Sequence, residues 1–108
     1  MSETSQVVKP ILDYCEQSGI LAWRNNSAGV RKIHGAYINL GKAGMPDILG
    51  VLRGGRAWAC ECKLPGEEPD EKQLEWLKNF ASVGGFAFWV TSLDEFIEAI
   101  DKAQRGIR

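Results

Sequence analysis

The chain has one histidine, His34, and three cysteines, Cys15, Cys60 and Cys62, among 108 residues. An odd cysteine count without secretory features argues against a disulfide framework. One Cys-x-Cys, a distant cysteine and a lone histidine also lack the paired spacing of a structural zinc site. Long apolar runs are missing, and none reaches the ~18 residues that a membrane span needs. The opening MSETSQVVKP lacks the basic-then-apolar order of a secretory signal. The expectation is therefore a cytoplasmic protein with no membrane partner. No repeat or low-complexity tract is visible. With 44% hydrophobic and 25% charged residues the composition is that of an ordinary globular protein. At this length the expectation is one domain over 1–108, large enough for a modest core.

Net charge is −1, which speaks against a general nucleic-acid binder, but the charge is unevenly placed. From Arg24 to Arg56 six basic residues face one acidic residue, a net of +5. From Ala57 to Arg108 six basic residues face ten acidic ones, a net of −4. A basic half suggests a face that meets polyanions. Soluble basic loops would give the same count.

Ser5–Ser18 reads as a helix, with Val7, Ile11, Leu12 and Cys15 as its apolar stripe. Pro10 belongs in its first turns or at a kink, and Gly19 is a stop. ILAWRN reads as a strand, NSAGVRKIHG as a polar loop and AYINL as a short strand. Ile48–Leu52 and Ala57–Lys63 are the arms of a hairpin. Asp70–Ser82 reads as a helix with Leu74, Leu77 and Ala81 on one face, flanked by Trp76 and Phe80. FAFWVT is a continuous apolar run, so the expectation is a central strand buried on both faces. Ser92 and Glu95 form a capping box that opens a last helix carrying Leu93, Phe96, Ile97 and Ile100. The expected class is α/β, a mixed sheet flanked by helices in the order αββββαβα.

The hairpin carries charges that a core does not need. Alternation puts Glu61 and Lys63 on one face of their strand and Trp58, Cys60 and Cys62 on the other. Register decides where Asp47 falls. A two-residue Gly54-Gly55 turn would put Asp47 on the face of Cys62. A three-residue Arg53-Gly54-Gly55 loop would set Asp47 opposite Glu61, and such loops favour glycine at the third position. The second register is preferred, because an inward Asp47 would have no partner. Two facing carboxylates repel unless a cation and a lysine compensate them. A hard oxygen-seeking cation with few protein carboxylates and several waters suits a phosphate substrate. It can polarise a phosphoryl oxygen and acidify a bound water, and Lys63 can stabilise charge growing on the phosphate. The plain alternative is a surface Glu61–Lys63 ion pair with Asp47 capping a turn.

Pro46-Asp47, thirteen intervening residues and Glu61-Cys62-Lys63 resemble the signature of the PD-(D/E)XK nuclease superfamily. GKAGMPDILGVLRGGRAWACECK, Gln73 in the next helix, the following GG and the upstream WRNNSAG resemble, more closely, the VRR-NUC domain in its stand-alone phage and bacterial form. The resemblance spans nearly the whole chain. It implies Asp47, Glu61 and the main-chain carbonyl of Cys62 as ligands of Mg²⁺ or Mn²⁺. It implies Lys63 as the catalytic lysine and Gln73 beside the site. It also implies an acidic residue from the first helix, for which Glu3 is favoured over Glu16. Stand-alone members resemble archaeal Holliday-junction resolvases. The implied function is thus a structure-selective DNA endonuclease, a homodimer cutting branched DNA such as four-way junctions in a bacterial or phage-infected cell. Arg24, Asn26, Arg31, Lys32 and Lys42 are the candidate phosphate contacts. His34 reads as a surface residue, and the four tryptophans as core or dimer-interface residues. Competing readings are a flap, nicking or restriction-type nuclease of the same fold, a catalytically silent DNA-binding dimer, and a protein–protein adaptor using the acidic C-terminal helices.

Overall fold

The computed structural model describes residues 2–25, 30–33, 36–39 and 44–106, with the backbone alone for the two short segments. Asn26, His34 and Lys42 lie outside the described residues. The chain opens with a π-helical turn, Thr4–Val8, that runs into helix α1, Lys9–Ser18. Pro10 has no amide hydrogen, so no α-type bond can run from it to Gln6. Upstream the turn widens, and Lys9 N–H reaches back to Thr4 O. Gly19, at φ 72°, closes α1 in the left-handed region, where Ile20 N–H donates to Cys15 O at 2.9 Å.

Strands β1 (Leu21–Arg24), β2 (Val30–Ile33) and β3 (Ala36–Asn39) follow, then β4 (Ile48–Val51) and β5 (Ala57–Cys62). Helix α2 (Glu71–Ser82), β6 (Phe86–Val90) and α3 (Leu93–Gln104) complete the order. The expected α/β class with a mixed sheet is what the chain adopts. It carries one more strand than expected, because β2 lies inside the stretch read as a polar loop and pairs antiparallel with β3. The main sheet has the order β1-β4-β5-β6, antiparallel except for the parallel β5–β6 pair.

Ile48 faces Cys60 and Val51 faces Ala57, which is the register of the three-residue loop. Leu52 N–H donates to Arg56 O at 2.8 Å across that loop, where Gly54 and Gly55 both have φ near +90°. The central strand is β5, buried from Trp58 to Cys62 on both faces. The expectation that FAFWVT is central is corrected. As β6 it lies at one edge of the sheet, and Trp89 is 38% exposed. Its apolar run is explained by α2 and α3, which both pack on it. On the face opposite α2, Trp58, Cys60, Cys62 and Ile48 meet Val7, Ile11 and Cys15 from the N-terminal helix and Phe96 and Ile100 from α3. Gly50 is obligatory there: a Cβ would stand 2.3 Å from Trp58 Cε2 and 2.4 Å from Leu21 O.

The stripe expected on α2 is also corrected. Leu77 is buried, but Leu74 is 47% exposed and Ala81 is exposed. The face turned to the sheet holds Gln73, Trp76, Leu77 and Phe80, and the rings of Trp76 and Phe80 stack at 5.0 Å. In α3 the Ser92 hydroxyl accepts from Glu95 N–H as expected, while the Glu95 carboxylate reaches one residue further back, to Thr91 N–H.

Candidate active site

The site is built where the β4–β5 ladder stops. Even-numbered residues of β4 point their backbone groups toward β5, as Leu52 does toward Arg56. One step beyond the ladder the same register sets Pro46 against Cys62. Pro46 has no N–H to give, so it leaves the Cys62 carbonyl without its ladder donor. Cys62 N–H does not bond Pro46 O either. It donates to the side chain of Asp47, Oδ2, at 2.9 Å. Pro46 O accepts instead from Asn25 Nδ2 at 3.1 Å, and Asp47 O from Asn25 N–H at 2.7 Å. Sheet pairing has thus been exchanged for side-chain contacts at the point where the acidic residue sits.

By that register Asp47 lies opposite Glu61, and alternation puts both on the same face. Glu61 is 2% exposed, and its Oε1 has no hydrogen-bond partner among the described residues. Burial, then a hydrogen bond with the Asp47 carboxyl and the charge of Asp47, push the Glu61 carboxyl up to about 9, against a downward pull from Lys63. Without a cation the pair is therefore held together by a proton. Lys63 lies two residues on, on the same strand face, its N–H bonded to Val90 O at 2.9 Å.

The N-terminal turn brings Glu3 into this field. Its carboxyl is raised by burial, lowered by Lys63, and raised again by Asp47 and by a hydrogen bond with Glu67. Glu16 is exposed on α1. Gln73 is placed differently from Asp47, Glu61 and Lys63. It opens α2 in a reciprocal capping box: Asp70 Oδ1 accepts from Gln73 N–H at 2.8 Å, and Gln73 Oε1 accepts from Asp70 N–H at 2.9 Å. That first turn still borders the site loop, because Gly44, at φ +85°, runs so close that a Cβ would meet Lys72 O at 2.5 Å. Arg24 is exposed and donates to Thr4 Oγ1 at 3.0 Å. Arg31 and Lys32 lie on β2, opposite Ile38 and Tyr37. Asn25 was missed by sequence reasoning, which singled out its neighbour Asn26. The signal was available: a side-chain amide next to a strand end, with a Pro-Asp pair waiting across the ladder.

No trio of His, Cys, Asp and Glu side chains among the described residues could hold a metal ion. The donor set is smaller and of the hard, oxygen kind: the carboxylates of Asp47 and Glu61 and the carbonyl of Cys62, which has no ladder donor in Pro46, with waters to complete the shell. The orphaned Glu61 Oε1 and the shared proton fit a divalent cation, since a cation would occupy the place that the proton holds.

Fold and site together define a mixed-sheet α/β protein whose central strand ends in paired carboxylates beside a lysine. Among curated proteins the chain is similar to "Putative nuclease p44" of Acyrthosiphon pisum secondary endosymbiont phage 1, with 44% identity over 48 residues. That alignment takes in 42% of this chain and 52% of the phage protein, so the chain spans about half the length of the relative it matches. No family model and no solved structure matches the chain. Among the described residues no helix is long and apolar enough to cross a membrane.

Proposed function

We propose that the chain is a divalent-metal-dependent endonuclease that hydrolyses phosphodiester bonds in branched DNA, four-way junctions foremost, as a homodimer. One observation carries the reading: Asp47 and Glu61 face each other at the end of the central strand, with an unpartnered buried oxygen on Glu61 and Lys63 beside them. The similarity to a phage protein named as a nuclease supports the reaction class. The choice of branched DNA, the dimer and a bacterial or phage-infected cell rest on the VRR-NUC resemblance.

Asp47, Glu61 and the Cys62 carbonyl would hold Mg²⁺ or Mn²⁺. When bound, the ion supplies Lewis-acid polarisation of the phosphate and acidification of a water. Lys63 then stabilises negative charge on the phosphate oxygens as the P–O bond breaks. Cys62 N–H fixes the Asp47 carboxylate, so that this ligand is oriented before the substrate arrives. Glu3 shares the field of Lys63 and Asp47 and is the acidic contribution of the N-terminal turn. Gln73 acts through its helix, by capping the turn against which Gly44 and the Pro46-Asp47 loop are laid.

The test is cleavage of a labelled four-way junction beside a flap and a linear duplex, with Mg²⁺, Mn²⁺ or EDTA. Paired metal-dependent cuts in the junction are expected. Lys63→Ala should lose at least about 100-fold in rate, the order of one removed charge-stabilising group. Cutting of the flap alone would keep the nuclease and refute the junction specificity. Tight junction binding with no cleavage under either metal would refute the enzyme.

A further inference from the structure

Asn25 makes two hydrogen bonds that converge on the residue pair bearing the first carboxylate. Its N–H extends the β1–β4 ladder one step to Asp47 O, at 2.7 Å. Its side-chain amide donates to Pro46 O, at 3.1 Å, from a half-buried position. The second bond has a consequence across the sheet. Cys62 N–H has two acceptors available to it: Pro46 O, its partner by register, and Asp47 Oδ2, the one it uses at 2.9 Å. One N–H cannot serve both at full strength, and a buried carbonyl left without a donor is costly. By satisfying Pro46 O, Asn25 removes the competitor and leaves Cys62 N–H to the carboxylate.

We infer that Asn25 is the positioning residue of the carboxylate site: it occupies Pro46 O so that Cys62 N–H anchors Asp47 opposite Glu61. The inference rests on the metal-site reading above for its functional meaning, though the exchange of acceptors stands on geometry alone. Asn25 touches neither the cation nor the DNA in this scheme. Its side chain acts through Pro46 and Cys62 on the orientation of Asp47. The single carbon between Asn25 Cα and its amide is what allows the reach; alanine has no donor and glutamine is longer by one methylene.

Four measurements on the full chain separate this from a merely structural role. Asn25→Ala is compared with wild type and Asp47→Ala for Mn²⁺ affinity by calorimetry, for thermal unfolding in EDTA, and for the Cys62 amide resonance in the metal-free protein. The expected result is Mn²⁺ affinity weakened about 10- to 100-fold, the range found when a group that orients a metal ligand is removed. In cleavage assays kcat should fall while KM for DNA holds within about 2-fold, since uniform DNA binding is untouched. The Cys62 amide resonance should leave its wild-type position, as it should in Asp47→Ala, because its acceptor changes from a carboxylate. Wild-type Mn²⁺ affinity together with an unmoved Cys62 resonance in Asn25→Ala would overturn the inference. A wild-type chain that binds no Mn²⁺ would refute the metal site instead, and the Cys62 resonance would then decide the role of Asn25 by itself. Should Asn25→Ala not fold, Asn25→Asp keeps the shape and removes the donor, and the same resonance is read: moved supports the inference, unmoved refutes it.

Discussion

Glu61 and Asp47 face each other closely enough to hold a proton between them, and that proton ties stability to pH. Between the ordinary carboxylate range and about 9 the folded chain binds a proton at Glu61 that the unfolded chain has released. The state with more bound protons loses ground as pH rises, so metal-free stability is present below that window and declines through it. The unfolding midpoint in EDTA is expected to fall from pH 5 to pH 9, and Glu61→Gln is expected to flatten that slope. Mn²⁺ affinity should rise over the same window, because the cation displaces the proton. A Glu61→Gln midpoint that tracks wild type in parallel would show that the pair is not the source. The same residues show what sequence could and could not reveal. Asp47, Glu61 and Lys63 were legible, because alternation and turn geometry fix strand faces with only two registers to choose from. Gln73 was legible as a residue near the site but not in its role. A capping box needs only Asp and Gln three residues apart, and Asp70 was read as a boundary alone.

Strands and helices were read with unequal success, for a physical reason. Apolar runs report how much of an element is covered, not where it lies in the sheet. FAFWVT is covered by a helix on each face yet forms the edge strand β6, whereas β5, with Glu61 in it, is the strand buried on both faces. Small residues allow that burial: Ala59, Cys60 and Cys62 pack closely where larger side chains would separate the layers. The extra strand β2 was hidden because Arg31 and Lys32 interrupt its apolar pattern. Gly50 shows packing at its tightest, under the Trp58 ring. Gly50→Ala is expected to cost about 3 kcal/mol, at the upper end of overpacking penalties, in urea unfolding. A cost below about 1 kcal/mol would mean that Trp58 can move aside. Asp70→Ala should cost about 1 kcal/mol by loss of the helix cap, since Gln73 N–H loses its acceptor while Gln73 Oε1 keeps the backbone N–H of residue 70.

Across the molecule, the pairings Leu21–Val51 and Trp23–Leu49 place β1 side chains on the sheet face that carries Asp47 and Glu61. Leu21 and Trp23 are 60% and 46% exposed there, whereas Arg24, paired with Ile48, lies on the other face at the same end of the sheet, where it donates to Thr4. The basic stretch Arg24–Arg56 surrounds the same strand ends in sequence. If this end of the sheet takes DNA, binding measured with Ca²⁺ should weaken steeply with salt, since each phosphate neutralised releases counterions. Arg24→Ala is expected to weaken binding evenly across DNA sequences and to reduce the log–log salt slope by about 1. An unchanged slope would remove Arg24 from the contact surface.

The turn at Arg53-Gly54-Gly55 lies about 20 Å along the strands from Asp47, at ~3.4 Å per residue, and touches nothing in the site. Loops are ordinarily where a lineage gains and loses residues freely. This one counts. Gly54→Asn would create an Asn-Gly pair, which favours a two-residue turn between Arg53 and Arg56, and would slide β4 against β5 by one position, sending Asp47 to the opposite face from Glu61. A chain so altered should lose Mn²⁺ binding while still folding, and an Asp47-Glu61 pair that survives the substitution would show that the strand faces, not the turn, hold the register. Selection on such a site would act on the residues of a surface turn as strictly as on the carboxylates themselves.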